Sequence, residues 1–135
     1  MIRVDVSHVL SLATEAAKSA AKHEAAAEHS RKAAQRLDST FLTGMPMSSA
    51  LRHEAEYELG MAVYWRNAEK KARALAARCG ERGRHRRHVW SRRLASEVAA
   101  LESDFNSMRK LDRRARRTRE LYDMNHPQDS AQNRS

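Results

Sequence analysis

An all-α fold, specifically an antiparallel two-helix coiled coil (a helical hairpin) with a long second helix, is what this sequence predicts, on three observations. From Ser48 to Asn125 the chain has no proline and three glycines, Gly60, Gly80 and Gly83. Apolar residues recur through that stretch every three or four positions, the spacing of one helix face. Before it, Thr43-Gly44-Met45-Pro46 combines a turn-compatible glycine with a proline that disfavours helix at the preceding residue, so the chain should reverse there. A single domain over residues 1–125 is expected, with helix 1 at about 5–38, the turn at 39–49, helix 2 at about 50–124 and a disordered polar tail at 126–135.

Helix 1 can be capped by Asp5 or Ser7. Its a-like positions are Val6, Ala13, Ala20, Ala27 and Ala34, followed by Phe41, and its d-like positions are Val9, Ala16, His23, Ser30 and Leu37. The small a residues suit close helix approach, while His23 and Ser30 weaken the seam at its middle. Ser48 or Ser49 can cap helix 2, whose early Glu54, Glu56 and Glu58 suit the positive end of a helix dipole. A first seam then runs through Met61, Trp65, Ala68, Ala72, Leu75 and Cys79, and a second through Trp90, Leu94, Val98, Leu101, Phe105 and Met108. The eleven residues from Cys79 to Trp90 equal a heptad plus four, a stutter that locally unwinds a supercoil, and Gly80 and Gly83 soften the same place. A bend, fray or hinge is expected near residues 80–88. Uninterrupted, helix 2 would reach roughly 110 Å. Helix 1 could cover only part of it, leaving the basic end free for a partner.

Composition narrows the function classes. Of 135 residues, 23 are alanine and 5% are aromatic, so the seam buries little area per residue and stability leans on close packing or on a partner. The net charge of +9 lies in the second half: residues 1–60 carry 7 Lys and Arg against 8 Asp and Glu, and residues 61–135 carry 19 against 9. Such a field attracts nucleic acid, anionic lipid or an acidic protein surface. Lone Cys79 fits a reducing compartment, and no secretion signal or apolar run long enough for a membrane span is visible, so a cytoplasmic location is expected.

The arginines form two clusters. One is Arg82, Arg84, Arg86, Arg87, Arg92 and Arg93; the other is Arg109, Lys110, Arg113, Arg114, Arg116, Arg117 and Arg119. Either can be a solvated helix face with partners such as Glu120, or a docking surface for an acidic groove or a phosphate backbone. Nucleic-acid binding calls for interleaved aromatic residues or a helix-turn-helix or basic-zipper pattern, and neither is visible in the sequence. Cys79, His85 and His88 have a spacing that invites a metal, but Cys79 falls on the apolar seam and no further ligand pattern follows, so no metal or cofactor is expected. Trp65 and Trp90 read as seam residues that could also anchor an interface. Tyr57, Met61 and Tyr64 beside them could form an exposed apolar patch for a second partner. No phosphate loop, nucleophile elbow or paired-carboxylate motif is present, and enzymatic activity is not expected.

The order of features from Gly44 to Arg119 resembles the FliJ/YscO/HrpO family, coiled-coil stalk proteins of flagellar and injectisome (type III) export machines. The resemblance is carried by the Leu59-Gly60-Met61-Ala62-Val63 stretch, by Arg66-Asn67-Ala68-Glu69-Lys70-Lys71, by Arg86-Arg87-His88-Val89-Trp90-Ser91-Arg92-Arg93 and by Leu101-Glu102-Ser103-Asp104-Phe105. The Ala-rich first helix lacks the arginine-rich opening usual in that family. The resemblance implies an antiparallel two-helix coil whose paired termini enter the pore of a hexameric export ATPase, with other surfaces on the export gate or on secretion chaperones, beside the inner membrane. By analogy the ATPase contacts would be Arg109, Lys110, Arg113, Arg114, Arg116 and Arg117, and the second partner surface Tyr57 to Trp65, with Met61 and Tyr64 within it. Two rivals stand beside this expectation: a nucleic-acid-binding accessory protein of a mobile element, in which the same arginines contact phosphates, and a homo-oligomeric structural coil.

Overall fold

The computed structural model describes residues 2–40, 46–84 and 87–125. Three long helices account for most of them: α1 (Val6–Thr40), α2 (Pro46–Arg82) and α3 (Arg92–Asn125), with two short strands, β1 (Arg3–Asp5) and β2 (His88–Trp90). The fold is all-α, and α1 and α2 form the helical hairpin that the Gly44/Pro46 interruption predicts, with the most extensive helix packing in the molecule.

α1 starts where Asp5 Oδ1 accepts hydrogen bonds from the Ser7 backbone N–H (3.0 Å) and the Ser7 hydroxyl (2.8 Å). Those donors hold the Asp5 carboxyl below its usual range, and one orphan N–H of the helix start is satisfied. Val9, Ala13, Ala16, Ala20, Ala27, Ser30 and Ala34 are buried, which is the a/d stripe read from the sequence. On α2 the facing residues are Leu51, Ala55, Met61, Trp65, Ala68, Ala72, Leu75 and Cys79. The helices run antiparallel: Arg52 pairs with Asp38 near one end, and the Arg66 guanidinium clamps Glu24 with contacts of 2.8 and 3.2 Å further along.

α2 begins at Pro46 rather than after Ser48 or Ser49, because proline has no N–H to satisfy and its φ is preset for the first helical position. Ser48 is buried at the hairpin instead: its hydroxyl donates to Asp38 Oδ1 (2.6 Å) and accepts from Arg52 (2.6 Å). The two helices take up both flanks of the turn expected at 39–49, since α1 runs on to Thr40 and α2 starts at Pro46; residues 41–45 of that turn and the expected tail at 126–135 lie outside the described residues.

The uninterrupted helix over 50–124 does not form. Helical bonding ends with Gly83 N–H donating to the Cys79 carbonyl (2.9 Å), and Arg84 then takes a left-handed backbone conformation, φ 52°, which stops a right-handed helix. The chain continues into β2, which pairs antiparallel with β1 in the register Arg3↔Trp90, Val4↔Val89 and Asp5↔His88. Two flanking bonds extend this ladder: Val6 N–H to the Arg87 carbonyl and Ser91 N–H to the Ile2 carbonyl, both 3.0 Å. Ser91 then caps α3, its hydroxyl accepting from Leu94 N–H (3.2 Å). The stutter marks the right place, but the chain reverses there instead of bending.

α3 therefore folds back along the hairpin, antiparallel to α2 and parallel to α1. Arg78 pairs with Glu97 near the break (2.7 Å), and Glu54 pairs with Arg119 near the other end. His8 meets Glu102, and Glu15 meets Arg109. The core lies at the strand end, where Val4, Leu12, Trp65, Leu75, Val89, Leu94, Leu101 and Phe105 come together from all five elements. The Trp65 and Phe105 rings meet edge to face, 5.5 Å between centroids and 81° between planes, a geometry that adds to the area both rings bury. Alternation along β2 sends Val89 inward and leaves Trp90 57% exposed, so Trp90 is not a seam residue. Phe105 is the last fully buried residue of α3. Beyond it Met108 and Asp112 are half-buried, and Leu111 and Leu121 are exposed.

Candidate functional site

Three places collect chemistry-bearing side chains: the outer face of α3, the middle of the bundle, and the strand end.

The second arginine cluster divides in two. Arg109 is not free for a partner: it grips both oxygens of Glu15 (2.7 and 2.6 Å), takes a further acceptor in Asn106 (2.9 Å), and lies 5.6 Å from the Phe105 ring centre. The Glu15 carboxylate raises its pKa. Arg109 is thus a brace between α1 and α3. Arg119 is drawn to Glu54. Lys110, Arg113, Arg114, Arg116 and Arg117 are exposed and form no ion pair among the described residues, Glu120 included. Lys110, Arg113, Arg114 and Arg117 follow the i, i+3, i+4, i+7 rule and so share one face, turned away from the face that carries Phe105 and Asp112. Leu121 and Met124, 54% and 77% exposed, continue the same line. Arg116 stands to its side.

The α2 candidates divide as well. Met61 and Trp65 belong to the buried side of α2, whereas Tyr57 and Tyr64 are exposed. Leu59 and Val63 join the tyrosines as exposed apolar residues that the sequence argument did not single out. Their signal was present, since both are apolar and off the seam. Gly60 sits between them with open space over its Cα.

His23, read from the sequence as a weak point in the seam, is the centre of a polar junction of all three helices. Its Nδ1 faces Glu58 of α2, and its Nε2 lies 2.9 Å from Asp112 of α3. Asp112 also accepts from the Trp65 indole N–H (3.1 Å). The bonds of His23 to Glu58 and Asp112 fasten α1 to both other helices. The three residues lie far apart in sequence, and no local spacing could have linked them.

At the strand end, Arg82, Arg84, Arg87, Arg92 and Arg93 are exposed around Trp90. Two open depressions of about 290 and 550 Å³ meet there, sharing Arg82 and Trp90. Cys79 lies in the core beneath, and burial pushes its thiol pKa up. His85, its suggested co-ligand, falls outside the described residues, and among those described no group of three or more His, Cys, Asp or Glu is placed to hold a metal.

Comparison with protein-family models, with curated proteins and with solved structures finds no match to this chain.

Proposed function

We propose that the protein is a non-enzymatic helical adaptor of a bacterial type III export apparatus, docking through the outer face of α3 on an acidic groove, with the hexameric export ATPase as first partner. One observation carries this reading: Lys110, Arg113, Arg114 and Arg117 stand on one exposed helix face without ion pairs among the described residues, and the face continues into exposed Leu121 and Met124. Cations alone suit a phosphate backbone. Cations in line with large apolar side chains suit a protein groove, where long-range attraction guides the approach and apolar burial slows the release. No aromatic residue stands between Lys110 and Arg117 to stack on a base.

The mode of docking differs from the one implied by the resemblance. Residues 2–5 lie at the strand end and Asn125 at the opposite end, so a single helix end, not a pair of termini, would enter the partner. The exposed Tyr57, Leu59, Val63 and Tyr64 give such an adaptor a second contact surface for a chaperone or the export gate. Among the described residues no helix is long and apolar enough to cross a membrane.

Reversing Arg113, Arg114 and Arg117 to Glu should weaken binding to the export ATPase of the same organism by at least tenfold while leaving helicity unchanged. Replacing Leu121 and Met124 by Ser should mainly raise the dissociation rate. Binding that is unchanged in the charge-reversed variant would contradict the reading.

A further inference from the structure

We infer that the strand end of the bundle is a second binding site, for single-stranded nucleic acid, with one base stacked on Trp90 and the flanking phosphates held by the surrounding arginines. The site is independent of the α3 face and lies near the other end of the molecule. Trp90 alternates outward from a three-residue strand whose neighbouring Val89 is anchored in the core, so a large indole surface is held in solvent on a rigid base. Nothing in the fold requires an exposed tryptophan there, because Val4 and Val89 already plug the core beneath. Arg3 lies opposite Trp90 in the ladder, and Arg82, Arg84, Arg87, Arg92 and Arg93 complete the surroundings.

Among the described residues these cations form no ion pair. Asp5 accepts from Ser7, and Glu97 is taken by Arg78. The first turn of α3 has no acidic residue and carries Arg92 and Arg93 at the positive end of its dipole. Such an arrangement is unfavourable alone and is relieved by an anion. The shape selects the kind of anion: both depressions are open, and both are lined by Arg82 and Trp90. An open surface with an aromatic platform suits an extended strand, whose bases are free to stack, better than a duplex, whose bases are already stacked. Sequence reasoning asked for an aromatic among the arginines and placed Trp90 on the seam; the reversal at Arg84 turns it outward.

The test is a titration of the full chain with a fluorescently labelled 15-nucleotide oligo(U) or oligo(dT), comparing wild type with Trp90→Ala, Trp90→Phe, Arg92→Ala/Arg93→Ala and the Arg113→Glu/Arg114→Glu/Arg117→Glu variant. Trp90→Ala should weaken binding about tenfold or more, and Trp90→Phe should restore most of it. Loss of Arg92 and Arg93 should weaken binding and flatten its dependence on salt. The α3 variant should stay close to wild type. Circular dichroism should report equal helicity throughout, since every substituted side chain is exposed. Wild-type binding no weaker after Trp90→Ala, preference for duplex of the same length, or a loss in the α3 variant as large as at Trp90 would each overturn the inference, the last by showing that affinity follows net charge alone.

Discussion

The two ends of the bundle are held together differently. At the strand end, five elements bury Val, Leu, Trp and Phe side chains against one another, and a β-ladder ties residues 3–5 to residues 88–90. At the other end two helices meet through Ala27, Ser30, Ala34, Leu51 and Ala55, and α3 runs past them with its last turns exposed. Alanine seams stabilise by close approach rather than by area, so this end depends on polar fastenings: Asp38 with Arg52 and Ser48, Glu24 with Arg66, and Glu54 with Arg119. Buried area makes the strand end a rigid platform for Trp90. The thin seam makes the other end the place where α3 separates most easily, as the docking proposed above requires.

If that contrast is right, the largest single effect belongs to Phe105, which is fully buried against Trp65. Phe105→Ala should cost about 3–5 kcal/mol in urea unfolding. It should also detach α3, seen as a red shift of Trp65 emission measured in a Trp90→Phe background. Next comes the junction between the two ends. His23→Ala leaves the Glu58 and Asp112 carboxylates without the hydrogen-bond partner they share and should cost about 2 kcal/mol; Asp112→Asn in the same background should recover part of that loss, which a purely steric defect would not allow. Ser91→Ala removes the cap of α3 and should cost about 1 kcal/mol, measured in the same way.

Acid should loosen the alanine-seamed end first. Hydrogen bonds from Arg52 and Ser48 lower the pKa of Asp38, those from Arg66 lower that of Glu24, and those from Arg73 and Arg66 lower that of Glu69. A carboxyl with a depressed folded pKa contributes stability that is fully present above its unfolded pKa and is lost as pH falls through the folded one. Amide hydrogen exchange along residues 24–40 and 46–58 should therefore quicken as pH drops below about 4, after correction for the intrinsic rate, while β2 and the start of α3, which hold none of these carboxylates, stay protected. The smallest effect belongs to exposed pairs: Arg31→Ala, which faces Glu28 one turn away, should change stability by less than about 0.5 kcal/mol.

The same contrast explains how much of the molecule the sequence discloses. The hairpin is legible, because an a/d stripe from Val9 to Ala34 and a facing stripe from Met61 to Cys79 are local periodicities, and Pro46 with Gly44 locates the reversal. The second reversal is not. Heptad counting sees the offset between Cys79 and Trp90, but what fixes its meaning is the pairing of His88–Trp90 with a segment more than eighty residues earlier, a contact with no local signature. Trp90 was misplaced for that reason, and the His23 junction escaped because its members come from three helices. The α3 face was legible as a charge cluster, but its division into the Arg109 brace, the Arg119 pair and an unpaired outer row needed the third helix in place.

Everything proposed for both surfaces depends on the reversal at 83–91, and energy transfer between two labels tests it directly. In a Cys79→Ala background, donor and acceptor are placed at His53→Cys and Glu120→Cys, both exposed and flanking the Glu54–Arg119 pair, with excess unlabelled protein added to suppress exchange between molecules. The folded-back α3 puts the labels within roughly 25 Å, an interhelical spacing plus two linkers, and predicts nearly complete transfer. Negligible transfer, as from the roughly 100 Å that an uninterrupted helix would place between them, would contradict it.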